Sequence, residues 1–126
     1  MRREDLYLAD IVDAADAIAR SVHGRSFDDF VADDDVRDSI LYRLIIIGEA
    51  VSHLPASVRQ RYPDIPWRAV TGFRNRAVHS YFAMDWDIVW NTATESVPLL
   101  RRQVGDILSR DYPGITPSND ETEDLK

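Results

Sequence analysis

The nine residues from Phe73 to Tyr81 read FRNRAVHSY, placing two arginines, an amide, a histidine and a tyrosine side by side. On a helix, Arg74, Val78 and Tyr81 lie close to one direction, because seven residues make nearly two turns. Asn75 and His79, four apart, share a neighbouring direction. Arg74 and His79 are about 140° apart on a regular helix. The reach of an arginine, or a helix end near His79, lets the four polar groups border one small region. These groups suit cleavage of an RNA phosphodiester. Attack by the ribose 2′-OH needs a base to take its proton and a cation to hold the charge that builds on the phosphate. His79 exchanges protons near neutral pH and is the candidate base or acid. Arg74 stays charged and binds phosphate through paired donors. Asn75 can orient a phosphate oxygen or the imidazole, and Tyr81 offers a hydroxyl and a ring face for a base. None of these steps requires a metal or a cofactor. The competing reading of the same residues is a surface or capping histidine among helical arginines.

The setting of this cluster is acidic. The chain of 126 residues has a formal net charge of -7, which argues against a broad electrostatic nucleic-acid binder. The charge is uneven. Asp28, Asp29, Asp33, Asp34 and Asp35 form one block, expected to be a loop facing solvent. Asp120, Glu121, Glu123 and Asp124 form another. Between Arg59 and Tyr81 lie five arginines against one acid, Asp64. Screening limits the reach of distant charges to roughly 8 Å at physiological salt. A local phosphate site is therefore expected to be insulated from the acidic body. The chain has no cysteine, which excludes disulfides, thiolate metal sites and cysteine nucleophiles. The three histidines, His23, His53 and His79, share no metal-ligand spacing. No export signal or membrane-length apolar run is visible, so the cytoplasm is the expected compartment.

The elements that must carry the cluster read as helices. Leu6 to Val22 is amphipathic, with an Asp10, Asp13, Asp16 stripe and a stop at Gly24. RSFDDFVADDD is expected to be a connection anchored by Phe27 and Phe30. Val36 to Leu54 is the central helix, apolar on nearly all sides at IIIGEA. Gly48 within it is costly unless another helix approaches closely. Glu49 is a candidate buried acid for Arg74 or Arg76. PASVRQRYPDIPW has room for only a short helical turn before Pro66 opens the helix that runs from Trp67 towards His79. Asp85 is a cap for a last helix, Trp86 to Leu108, in which Pro98 predicts a kink. Trp67, Trp86 and Trp90 are read as core or interface anchors. The fold class is all-α, an up-and-down bundle of about four main helices with a short extra helical turn over residues 1–110. Residues 111–126 read as a disordered acidic tail.

IGEAVSHLP, then YPDIPWRAVTGFRNRAVHSYFAMDWDIVW, then VPLLRRQVGDIL resembles the HepT-like family of HEPN-fold ribonucleases, over about Leu6 to Leu108. Its R-N-x-x-x-H-x-Y motif is matched by Arg74, Asn75, His79 and Tyr81 without a departure. The resemblance implies a metal-independent endoribonuclease, with Arg74 and His79 catalytic and Asn75 and Tyr81 in support. It implies the toxin of a toxin–antitoxin pair, and a homodimer whose two motifs face one cleft, open to larger assemblies with the antitoxin. The partner it implies is a minimal nucleotidyltransferase that silences the toxin by transferring AMP to Tyr81. A bulky anionic adduct there would occupy the phosphate site and cancel its charge. Two other readings stand beside this one. A non-catalytic HEPN dimer could bind nucleotide, RNA or a protein. A histidine phosphotransfer bundle leaves Arg74, Asn75 and Tyr81 unexplained.

Overall fold

The structure, a computed structural model, describes residues 3–79 and 81–114, the side chain of Phe82 excepted. Among these residues every regular element is helical. Helix α1 is Glu4–Val22, α2 Phe27–Ala32, α3 Asp34–Ser52, α4 Ala56–Arg61, α5 Trp67–His79, α6 Trp86–Asn91 and α7 Val97–Asp111. A 3₁₀ turn, Tyr81–Ala83, follows α5, and a π-helical turn, Thr92–Ser96, joins α6 to α7. Helix α1 packs on α3 and α7, and α5 packs on the other side of α3. Cross-helix pairs fix the directions. Tyr7 stacks on His53, Asp16 takes Arg101 at 3.0 Å, and the Tyr112 hydroxyl donates to Glu4 at 2.6 Å. Each neighbour of α1 therefore runs antiparallel to it, which gives the expected up-and-down bundle.

The core follows from the apolar stripes. Leu8, Ile11 and Ile18 of α1 meet Ile40, Leu44, Ile47 and Val51 of α3, with Val104 and Ile107 of α7, all buried. Gly24 ends α1's turn in the left-handed region, at φ +73°. Among the described residues no helix is long and apolar enough to cross a membrane.

The segment expected to be a plain connection is a helix, α2. Ser26 caps it reciprocally: its hydroxyl accepts from the Asp29 N–H at 3.1 Å, and its own N–H donates to the Asp29 carboxylate at 3.0 Å. These bonds, the one from the Ser26 backbone first, hold the Asp29 carboxyl below the usual carboxylate range. The expected acidic loop is corrected with it. Asp28 and Asp29 sit in the first turn of α2, Asp33 caps α3 through the Val36 N–H at 3.2 Å, and Asp34 and Asp35 open α3. The acids face the positive ends of two helix dipoles. Phe30, fully buried, packs on Trp86 and Trp90, so the two tryptophans tie α6 to α2.

Pro98 lacks the N–H that would bond the carbonyl of residue 94, and its ring crowds that carbonyl. Where a kink is expected, a π turn over Thr92–Ser96 precedes the proline and widens the helix. The hydroxyls of Thr92 and Thr94 donate to the carbonyls of Ile88 and Trp90 at 2.7 and 2.8 Å. At the other end of α7, Asp111 accepts from the Tyr62 hydroxyl and from Arg61. From residue 115 on, the tail expected over 111–126 lies outside the described residues.

Gly48 has the neighbour that its cost requires. A Cβ there would overlap the Cβ of Arg74 and lie 2.8 Å from its Cγ and 3.4 Å from the Val70 carbonyl. The obstructing atoms belong to the stem of Arg74, so they move only if α5 moves. Gly48→Ala is therefore expected to destabilise the fold. Overpacking costs about 1–3 kcal/mol and exceeds the roughly 1 kcal/mol gained in helix propensity. Denaturant titration reads this as a lower midpoint; an unchanged or raised midpoint would refute the tight crossing.

Candidate active site

Helix α5 carries Arg74, Asn75 and His79, and the 3₁₀ turn after it carries Tyr81. Buried Phe73 and Ala77 hold the inner face of α5 against the core, which turns the polar residues outward. Trp67 anchors the start of the helix, its indole N–H donating to the Tyr62 carbonyl at 3.0 Å.

Arg74 is the most constrained member. Its stem lies over Gly48 and its Nη2 pairs with Glu49. Its Nη1 donates to the Asn75 amide oxygen at 2.9 Å. Its Nε is buried and has no hydrogen-bond partner among the described residues. Glu49 also faces His53 Nε2 at 3.8 Å, and that imidazole stacks on Tyr7 at 5.2 Å. The expected partnership of Glu49 with an arginine is thus with Arg74, but the acid is not buried: its side chain is 42 % exposed. A pair this open to solvent contributes at most about 1 kcal/mol, so it orients the guanidinium more than it stabilises the fold.

His79 is exposed at the end of α5, with no hydrogen-bond or ion-pair partner among the described residues. Tyr81 turns back to α3. Its hydroxyl donates to Asp38 at 2.6 Å and its ring meets the edge of Trp86 at 6.3 Å. Arg37 lies over the other partner of that contact, 5.1 Å from the Trp86 ring centroid, and pairs with Asp34 at 2.6 Å. The hydrogen bond to Asp38 comes first in holding the Tyr81 phenol above its ordinary value. Removal from water and the Asp38 charge add to it, and Arg37 offsets part.

Within one chain, Arg74 and Asn75 are joined by a hydrogen bond, Tyr81 is bonded to Asp38 on α3, and His79 has no hydrogen-bond partner among the described residues. Glu49 and Asp38 stand eleven residues apart on α3, about 16 Å along its axis. The single compact region expected from helix geometry is therefore a strip along α3. The expected insulation from acidic charge is overturned too, because α3 sets Glu49 against Arg74 and Asp38 against Tyr81. Arg76 is exposed over the Phe73 ring, and Ser80 lies outside the described residues. Asp38 and Gly48 are the members of the strip to which reading the motif alone assigns no role. Gly48 gave a signal in its helix-interior position; Asp38, 43 residues from Tyr81, gave none. Among the described residues no three His, Asp or Glu side chains converge as a metal site.

An apolar trough of about 290 Å³ runs between α5 and the α6–α7 helix, floored by Leu44 and Ile47 and walled by Phe73, Ile88, Leu99 and Leu100. Ile88, Leu99 and Val78 are each roughly half exposed.

Residues 11–107 match the family model described as ribonuclease HepT-like. Among curated proteins, the chain is 35 % identical to a "Putative RNase" of Caldanaerobacter subterraneus subsp. tengcongensis, over 83 % of this chain and 94 % of that protein. It is 34 % identical to a "Probable ribonuclease HepT" of Thermococcus cleftensis, over 75 % of this chain and 86 % of the other. No solved structure matches the chain significantly.

The Tyr81–Asp38 bond has a titration signature. A raised phenol value means that the folded state favours the protonated form. Its stabilising contribution is fully present below about pH 10 and is lost as pH rises through the raised folded value. The ultraviolet titration difference between wild type and Tyr81→Phe is expected to show one phenol ionising above its ordinary value. Asp38→Asn should move that ionisation down; no movement would refute the bond.

Proposed function

The chain belongs to the ribonuclease HepT-like family, and from that membership we propose a metal-independent endoribonuclease that acts as the toxin of a toxin–antitoxin pair. The observation that carries this reading is the contrast between two motif residues. Arg74 is fixed by Gly48 and Glu49, as a phosphate-positioning cation should be, while His79 stands exposed and open to substrate. In the proposed reaction His79 takes the 2′-OH proton, the 2′ oxygen attacks phosphorus, and the 5′ oxygen leaves and is protonated. The products are a 2′,3′-cyclic phosphate and a 5′-hydroxyl. Arg74 donates to the phosphate oxygens, whose charge grows in the transition state, and Asn75 keeps the guanidinium turned by accepting from its Nη1. Both the proton carrier and the cation are side chains, so no step is assigned to a metal.

A homodimer completes the proposal. Arg74 and His79 share no hydrogen bond within one chain among the described residues, and a second copy facing the first could place one chain's His79 near the other's Arg74. The apolar trough and the half-exposed Ile88 and Leu99 that line it support a dimer interface on this side of α5. The proposed antitoxin is a minimal nucleotidyltransferase that transfers AMP to Tyr81. Tyr81 is 39 % exposed, within reach of such an enzyme. Two observations favour the alternative, a non-catalytic HEPN dimer binding nucleotide, RNA or protein. Arg74 is already paired with Glu49, and His79 lacks an orienting partner among the described residues.

Purified chain is expected to cut RNA in the presence of a chelator and to leave cyclic-phosphate ends. His79→Ala should slow cleavage by about 10²–10⁴-fold with an unchanged melting temperature, since the ring is exposed. Arg74→Ala should lose about 10²–10³-fold. Wild-type RNA binding without cleavage would select the non-catalytic dimer, and cleavage at the wild-type rate by His79→Ala would sink the mechanism.

A further inference from the structure

Tyr81 sits in surroundings that suit an acceptor of phosphoryl groups better than they suit a merely stacked ring. A tyrosine that attacks a phosphorus needs a group to take its proton and needs access for the electrophile. The first is in place: the hydroxyl donates to a carboxylate oxygen of Asp38 at 2.6 Å. The second is met because Tyr81 and Asp38 are both exposed. A cation is also near. Arg37 leans on the indole that Tyr81 touches, and its charge reaches the phenol. Asp38, Arg37 and Asp34 all come from the first two turns of α3, so one rigid element supplies these surroundings.

We propose that Asp38 is the general base for nucleotidyl transfer to Tyr81, so that the modified chain supplies the catalytic carboxylate for its own modification. The inference rests on the reading of Tyr81 as the AMP acceptor and adds a second reacting residue to it. In the step, Tyr81 Oη attacks the α-phosphorus of ATP held by the partner nucleotidyltransferase. The Oη–P bond forms as the bond from phosphorus to the bridging oxygen breaks, and pyrophosphate leaves with that electron pair. The Oη proton passes to the Asp38 carboxylate, which then releases it to solvent. A base is required because the phenol is protonated at neutral pH, and the more so because its folded value is raised. The existing hydrogen bond already points the proton at Asp38, leaving the oxygen lone pairs directed elsewhere. Asp38 thereby plays the part that a carboxylate plays towards the substrate hydroxyl in protein kinases.

The test is single-turnover AMP uptake by the full chain, read by intact mass, with a saturating minimal nucleotidyltransferase, Mg²⁺ and ATP. Wild type is expected to gain AMP and Tyr81→Phe to gain none. Asp38→Asn should gain AMP about 100-fold more slowly or worse while remaining folded at the assay temperature and keeping its affinity for the partner. Asp38→Glu, which restores a carboxylate, should recover part of the rate. Asp38→Ser serves as a second base-free variant should Asp38→Asn fold poorly. A base-free variant within threefold of the wild-type rate would overturn the role of Asp38 and leave Tyr81 as acceptor. No uptake by wild type, or equal uptake by Tyr81→Phe, would overturn the acceptor reading and this inference together.

Discussion

The crossing of α5 over α3 at Gly48 is the constraint on which the candidate site depends. A hydrogen in place of a side chain lets the Arg74 stem rest on the α3 backbone. That proximity puts the guanidinium beside Glu49, the next residue, with no long reach on either side. It also sets the height at which α5 ends, and so where the 3₁₀ turn returns Tyr81 to α3. The charge pair at Glu49 is worth little as stability. The steric fit beneath it is worth more, because close-packed interiors tolerate no extra methyl group at such a contact.

Helix α3 thus acts as the ruler of the site. Its apolar residues are spent on α1 and α5, and another part of its surface carries Asp38 and Glu49 at separate heights. Each engages one end of the motif, and His79 between them engages neither. A motif that looks compact when written as letters is laid out along an axis in the fold.

Much of this was legible in the sequence, for reasons that can be named. The 3–4 spacing of Ile40, Leu44, Ile47 and Val51 announces α3, and Asp85 announces the cap of α6, confirmed by the Asp87 N–H at 3.0 Å. Gly48 inside an apolar helix signals a neighbour at close range before that neighbour is known. Helix α2 stayed hidden because six residues are too few to show a period, although Ser26 with Asp29 has the spacing of a capping box. The acidic block read as a loop because its role as cap and first-turn charge depends on where α2 and α3 begin. Asp38 could not be singled out at all: it is one acid among many, and its link to Tyr81 exists only once α5 lies antiparallel on α3. The failed expectation of electrical insulation has the same origin, since sequence distance says nothing of which carboxylates return to a cation.

The π turn at Thr92–Ser96 does more than make room for a proline. A π turn holds one residue more than the α turn it replaces, so it advances the helix by about 100° of azimuth. The helix is in effect two segments out of phase. The first points Trp86 and Trp90 at α2, and the second points Val104 and Ile107 into the core beside α1. The inserted residue behaves as a phase element, and the sequence on its two sides must be read against two different helical wheels.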